Sequence, residues 1–539
     1  MSRQRVLVTS AIAVVAFLSG GWFLQQGARP SDSVYQRARL FDDVLSHVAD
    51  YYVDSLDERQ LYRLAIDGML NELRDPYTGF LDARDLRGLN EATTGNYAGI
   101  GAQIEVRSGA IVVIGPLPET PAERAGILAG DRIVEVNGQS TERFTQDDAV
   151  RALRGPEGTQ VTLKVVRAGA SDYLNYTLNR ARIHSRSVRL SLMLTERVGY
   201  VELNPFSQSS AEELAAAVDS LKRTGMRSLV LDLRYNPGGL LDEGIAVADL
   251  FLDPGQAVVA TRGRAPRSTQ TFRDQLPQRY ADLPLVVLVN GYSASSSEIV
   301  AGALQDHDRA LLIGTPTFGK GLVQTVFRLG NEAALKLTTA RWYTPSGRSI
   351  QRPSRNGFEF DDLPPDSVPP RDTAQAPSFR TDAGRTVRGG GGIAPDIVIR
   401  PDSAAVRATE RLTLALGRDI AKYQDALAAF AFQARQRFAV TGPLFPVTPP
   451  MRAGLLDLLR QRGVTLDDQT VQIAGGFIDR QLADQVSRLA FGRLGQVRRA
   501  AQDDPVLSEA VRAASGARTQ AELLAFANRA EQGASAQRP

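Results

Sequence analysis

The stretch Asn290-Gly291-Tyr292-Ser293-Ala294-Ser295-Ser296-Ser297-Glu298 sets four serines and a carboxylate between an apolar run and an amphipathic one. Serine becomes a useful nucleophile only when a neighbour removes its proton. A serine that opens a helix also sits beside backbone N–H groups with no intrahelical partner, and these can hold a developing oxyanion. The same side chains are good helix caps, so the turn alone does not choose between capping and catalysis. A second segment, Gly314-Thr315-Pro316-Thr317-Phe318-Gly319-Lys320-Gly321 followed by Gln324, favours chemistry. Only five of the 63 basic residues are lysine: Lys164, Lys222, Lys320, Lys336 and Lys422. Where a permanent positive charge suffices, the chain uses arginine. A lysine between two glycines suits a task that guanidinium cannot perform, namely losing a proton after desolvation and acting as a general base. A lysine in a solvent-facing loop is the plain alternative.

Other chemistries have few candidates. Cysteine is absent, which removes thiolate nucleophiles, thiolate metal sites and disulfides. The three histidines, His47, His184 and His307, are too few for a His-rich metal centre. A Ser-His-Asp arrangement would need His307, which lies on the helix after the serine turn, roughly three helical turns away. A net charge of +3 over 539 residues carries no nucleic-acid footprint.

The elements that must position these segments show in the hydrophobic pattern. The length, with 43% hydrophobic and 23% charged residues, predicts a folded chain of about two to four domains. From Val198 strand and helix alternate: Val198–Leu203, a helix opened by Ser210 and Glu213 with Leu214, Val218 and Leu221 on one face, then the buried strand Ser228–Leu233. That strand ends in Asn236-Pro237-Gly238-Gly239, a helix runs to Phe251, and the apolar strand Leu285–Val289 feeds the serine turn. Such alternation predicts an α/β layer with a mostly parallel sheet. Before it, residues 97–167 read as short strands (Ala102–Val106, Ile111–Ile114, Arg132–Val136, Val161–Arg167), with one helix whose Thr145 and Asp148 are spaced as a capping box. Residues 30–94 read as helices, with Phe41, Val44, Leu45 and Val48 at helical spacing. Residues 353–392, rich in Pro, Asp, Arg and Gly, read as an inserted loop or disordered segment. Beyond residue 401 the chain reads as helical.

The N-terminus carries an address. Arg3 and Arg5 precede an uncharged stretch, Val6–Leu24, long enough to span a bilayer. Positive charge in front places the rest of the chain outside the cytoplasm. An uncleaved anchor is the preferred reading, and a cleaved signal peptide is its rival.

Together these segments resemble the carboxyl-terminal processing (tail-specific) peptidases. Gly-x-x-Phe-Gly-Lys-Gly-x-x-Gln downstream of Ser-Ala-Ser-x-Ser-Glu carries the likeness. So do Asp75-Pro76-Tyr77-Thr78, the stretch from Leu337 through Tyr343-Thr344-Pro345-Ser346-Gly347 to Arg348, and Gly392-Ile393-Ala394-Pro395-Asp396. The resemblance spans about residues 36–400 and implies a Ser/Lys dyad, with Ser295 the nucleophile, Lys320 the general base 25 positions later, and Gln324 orienting the lysine. The resemblance also implies that Glu298 belongs to the same polar cluster, and that one Gly amide of the Gly238-Gly239 turn joins the Ser296 amide as the oxyanion hole. Tyr292 stands where the family usually has Gly, and Ser296 where it has Ala. Residues 97–167 resemble a PDZ domain, with Gly99-Ile100-Gly101 at the carboxylate-binding loop. Arg154 matches a position that in some relatives links that domain to the active site.

The expected architecture is multidomain α/β. It comprises a membrane anchor or signal (1–29), a helical segment (30–94), an inserted PDZ domain (95–170), a ClpP/crotonase-like protease core (183–400) and a helical C-terminal region (401–539). The expected function is an envelope serine endopeptidase on the periplasmic side, membrane-held through its N-terminal helix, cutting proteins near exposed apolar C-terminal tails with no metal or cofactor. The C-terminal region is expected to serve assembly or an adaptor contact, or to be a solvated tail. A catalytically inactive PDZ scaffold is the alternative.

Overall fold

A computed structural model describes residues 34–107, 110–167, 170, 172–330, 332–352, 376–400 and 402–536. The expected anchor, Val6–Leu24, lies outside the described residues. No helix among those described is long and apolar enough to cross a membrane. The chain divides into two compact units after Phe80.

In the first unit the helices Val34–Tyr51 and Glu58–Asn71 form where the periodicity predicts. Their burial is partial: Leu45, Leu61 and Leu70 are buried, whereas Phe41, Val44 and Leu64 stay more than half exposed.

The second unit opens with the helix Ala83–Thr94, capped by Asp82, whose carboxylate accepts from the amides of Arg84 and Asp85. The PDZ-like sheet comes next, ordered Ala102–Arg107, Ala110–Pro116, Arg132–Val136, Gln160–Val166, Leu174–Asn179. Ala181–His184 returns to pair with Asn96–Gly99. Ile111, Ile133, Val161 and Val165 point inward from this sheet onto Ala149 and Leu153 of the helix Gln146–Leu153. That helix starts at the predicted capping box, Thr145 with Asp148.

The sheet that carries the serine turn has six strands, ordered Val188–Met193, Val198–Leu203, Ser228–Asp232, Leu285–Val289, Leu311–Gly314, Ile397–Val398. The first pair is antiparallel and the rest are parallel. Its central strands are buried on both faces, which is why they read as continuous apolar runs. Because side chains alternate, Leu229, Leu231, Val287 and Val289 face one layer. That layer holds the helices Ser210–Arg223, Leu241–Asp249 and Ser296–Asp306.

The opposite face is covered by the C-terminal region. Val230, Val286, Leu288, Leu311 and Ile313 pack on Leu507, Ala510, Ala513 and Ala514 of the helix Pro505–Gly516, and on Leu523 and Ala527 beyond it. Ser228 Oγ donates to Ala514 O at 3.0 Å, and the Leu285 amide donates to Gln520 Oε1 at 2.9 Å. Each buried Leu here contributes about 1.5–3 kcal/mol relative to exposure. This stretch is therefore a structural layer and not a solvated tail. Residues from Ser403 to about Val486 build a separate helical core around Leu412, Phe430, Leu455 and Ile478. The helix Asp468–Asp503 links the two and breaks at Gly492, whose φ is +67°.

The segment 353–392 is not loop throughout. Its described part contains a small hairpin, Ser378–Arg380 with Thr386–Arg388; residues 353–375 lie outside the described set.

Candidate active site

The strand Leu285–Val289 ends at Asn290, whose side chain organises the serine turn. Its Oδ1 accepts from the amides of Tyr235 at 3.0 Å and Tyr292 at 3.1 Å, tying this turn to that of the neighbouring strand. Tyr235 and Tyr292 consequently stack, ring centroids 5.4 Å apart, and both remain exposed.

The four serines then separate by environment. Ser293 Oγ donates to Leu233 O at 2.8 Å, Ser296 Oγ to Leu240 O at 3.0 Å, and Ser297 Oγ to Asn236 O at 2.9 Å. All three are buried and spent on backbone carbonyls. Ser295 alone is part-exposed. It holds φ +55° and ψ −115°, a conformation that costs an L-residue of order 1–3 kcal/mol and persists only where its surroundings enforce it.

The enforcing group is Glu298, fully buried in the first turn of the same helix. Its Oε2 accepts from the Ser295 amide and the Lys320 amide, each at 2.9 Å. Its Oε1 accepts from Thr317 Oγ1 at 2.6 Å and the Gly319 amide at 2.7 Å. Burial pushes this carboxyl above the usual glutamate range, against the pull of those four donors. Glu298 thus clamps the serine turn to the lysine loop, a role more specific than membership of a polar cluster. The loop is further fixed by Phe318 N to Ser293 O at 3.0 Å and by Trp342 Nε1 to Lys320 O at 3.0 Å. Gln324 sits at a break in register between Leu322–Leu329 and Ala333–Tyr343, the kind of irregularity that re-aims a side chain, and its Nε2 donates to Thr338 Oγ1 at 3.3 Å.

The Asn236-Pro237-Gly238-Gly239 turn packs directly on Ser295. A Cβ at Gly238 would lie 2.6 Å from Ala294 O and 2.8 Å from Ser295 Cβ, and its φ of +89° also requires glycine. The Gly238 amide is engaged by Asn236 Oδ1 at 2.9 Å. Among the described residues the Gly239 and Ser296 amides carry no hydrogen bond, so the oxyanion candidates narrow to these two. Asn236 is fully buried, and its backbone carbonyl also receives the Ala294 amide at 3.0 Å. Next to this turn Arg234 pairs with Asp232 and with Asp504 of the C-terminal layer.

Three residues here escaped the sequence reading: Thr317, Asn236 and Asn290. All lay inside the quoted motifs, but nothing in their spacing says which carboxylate or amide they meet. His307 caps the far end of the helix and bonds Asp382 and Ala257 O, each at 2.7 Å, away from Ser295.

In the PDZ-like domain, Gly101 holds φ +75° where a Cβ would lie 2.4 Å from Thr120 Cβ. Ile100 is buried, and its carbonyl accepts from Ala122 N at 2.9 Å. Gly99 lies next to Leu153 and Arg154 at the end of the domain's helix. Arg154 pairs with Glu91 and lies 4.5 Å over the Tyr97 ring, which joins the domain to the helix Ala83–Thr94.

A serine turn clamped to a lysine loop, on a mostly parallel α/β sheet with a PDZ domain ahead of it, defines a serine-type peptidase. The profile of Peptidase family S41 matches residues 197–361, that of the PDZ domain residues 112–167, and that of the Activating protease CtpB N-terminal domain residues 24–85. The "Carboxy-terminal-processing protease" of Bartonella bacilliformis is 41% identical over 323 residues, covering 59% of this chain and 74% of its own. The "Probable CtpA-like serine protease" of Staphylococcus aureus is 37% identical over 349 residues, covering 64% and 68%. A solved photosystem II D1 C-terminal processing protease is 29% identical, covers 67% of this chain and 87% of its own, and superposes with a TM-score of 0.37. The chain belongs to the carboxy-terminal-processing proteases of peptidase family S41. Its PDZ domain is a peptide-binding module.

Proposed function

We propose that this peptidase works through a Ser295–Lys320 dyad, and the observation that carries the proposal is the isolation of Ser295. It is the one serine of the turn that is part-exposed, and its amide shares an acceptor with that of Lys320. In this reading Ser295 Oγ attacks the scissile carbonyl carbon while the neutral Lys320 Nζ takes its proton, with Gln324 helping to orient the lysine. The Gly239 and Ser296 amides hold the oxyanion. Collapse expels the amine, which takes the proton back from Lys320, and leaves an acyl ester on Ser295. Water, deprotonated by the same lysine, then hydrolyses the ester.

The PDZ domain supplies selectivity in this proposal. Its loop at Gly99, Ile100 and Gly101 takes the carboxylate of an exposed apolar tail, and the strand after it pairs with the peptide. The core is of the ClpP/crotonase-like type. Arg3 and Arg5 ahead of Val6–Leu24 support an anchor that holds the catalytic part on the periplasmic side.

The test is direct. Ser295→Ala should fall far below a thousandth of wild-type hydrolysis, leaving only the roughly 10³–10⁴-fold acceleration over water that oxyanion stabilisation and binding sustain in other serine enzymes. Lys320→Arg should be as inactive as Lys320→Ala, because a permanent cation accepts no proton. A peptide with an amidated C-terminus should be cut far more slowly than its free-acid twin. An active Lys320→Arg enzyme would return Lys320 to an electrostatic role, and equal rates on the two peptides would remove tail reading.

A further inference from the structure

Ala102–Arg107 is the edge strand of its sheet: one side pairs with Ala110–Pro116 and the other faces the helix Gln146–Leu153. On such an edge, residues two apart turn their N–H and C=O groups the same way. Two of the outward groups, the Val106 amide and the Ile104 carbonyl, are already occupied. Gln146 Oε1 accepts from the Val106 amide at 2.9 Å, and Gln146 Nε2 donates to Ile104 O at 3.3 Å. A side-chain carboxamide supplies both an N–H donor and a C=O acceptor, the same kinds of group that an added peptide strand would bring. Gln146 is the first residue of its helix, directly after the Thr145 cap, and it is exposed. The far end of that helix lies by the carboxylate loop, where a Cβ on Gly99 would be 3.5 Å from Leu153 O. The helix therefore runs from Val106 back to Gly99, along the whole groove.

We propose that Gln146 is a built-in competitor that sets how long a tail the PDZ groove reads. The proposal rests on the reading that this groove takes free C-terminal tails. With its carboxylate at Gly99–Gly101, a tail laid along the strand meets Ala102 first, then Ile104, then Val106. Only the first part of that edge is open. A short tail binds without disturbing Gln146, whereas a longer one pairs with Ile104 O and Val106 N only by displacing the carboxamide into solvent. The last step then exchanges hydrogen bonds instead of adding them, and extension brings little affinity.

The experiment measures binding of apolar peptides of about two and about six residues, with free carboxylates, to the full chain and to Gln146→Ala. In the wild type the longer peptide should bind little better than the shorter. In Gln146→Ala the longer peptide should gain about three- to tenfold, the worth of one net hydrogen bond, while the shorter one is unchanged. Gln146→Asn, one methylene too short to span both groups, should behave like the alanine variant. Hydrogen exchange on the unliganded proteins should show the Val106 amide protected in the wild type and unprotected in both variants. Equal gains on extension in wild type and variants overturn the proposal, as does weaker binding of the long peptide to the variants, which would make Gln146 a tail contact. If neither protein distinguishes free from amidated peptides, the tail reading itself fails, and the proposal with it.

Discussion

Ser295 and Lys320 donate their backbone amides to one atom, Glu298 Oε2, each at 2.9 Å. The two segments are 25 positions apart, yet one buried carboxylate sets the position of both backbones. Any shift of that carboxylate moves both candidate catalytic residues together.

Glu298→Gln tests this clamp. All four contacts of the carboxylate are donors, so the new NH2 group must face two N–H or O–H groups. Leaving a buried polar group so mismatched costs about 1–3 kcal/mol of stability. Displacement of the nucleophile by an ångström should lower kcat by about a hundredfold with KM little changed. Steady-state kinetics with a thermal melt check this; a fully active variant would reduce Glu298 to a helix cap.

Gly238→Ala probes the same turn from the other side. The added methyl meets Ala294 O and Ser295 Cβ at under 3 Å, and the residue must hold φ +89°. The turn must move away from Ser295, and kcat should fall by about a hundredfold while peptide binding to the PDZ domain is preserved. A binding assay beside the kinetics separates a local effect from unfolding.

Asp249 makes stability depend on pH. Burial, with the Asp274 charge adding to it, pushes its carboxyl from 3.8 up to about 6. Asp249 Oδ1 and Asp274 Oδ2 have no hydrogen-bond partner among the described residues. With the folded value above the unfolded one, the folded chain keeps a proton that the unfolded chain has lost. That contribution is complete below about pH 4 and is lost as pH rises through about 6. Asp249→Asn should therefore melt higher than wild type at pH 7 and alike at pH 4. Parallel melting curves across that window would count against the assignment.

Much of this molecule was legible before folding. The parallel strands announced themselves as runs such as Leu285–Val289 because both faces are buried, and the capping box at Thr145 and Asp148 is contained within four residues. The family was legible for the same reason: its motifs are short and contiguous. The burial of the first helices was not. Periodicity placed Phe41 and Val44 on an apolar face, but a period says only that a face exists, and these side chains remain exposed.

The sequence by itself determined the class of chemistry, the order of the domains and the strand-turn-helix that carries the serines, because each is written in neighbouring residues. Only the tertiary structure decided which serine stays open, that the Gly238 amide is already engaged, and that Glu298 joins two loops with the help of Thr317. It also decided that Pro505–Gly516 covers the sheet's second face, nearly 300 residues from the strand residue Ser228 that it bonds. An amphipathic helix records that it must be covered; its partner is chosen by packing between segments far apart in the chain, and no local pattern encodes that choice.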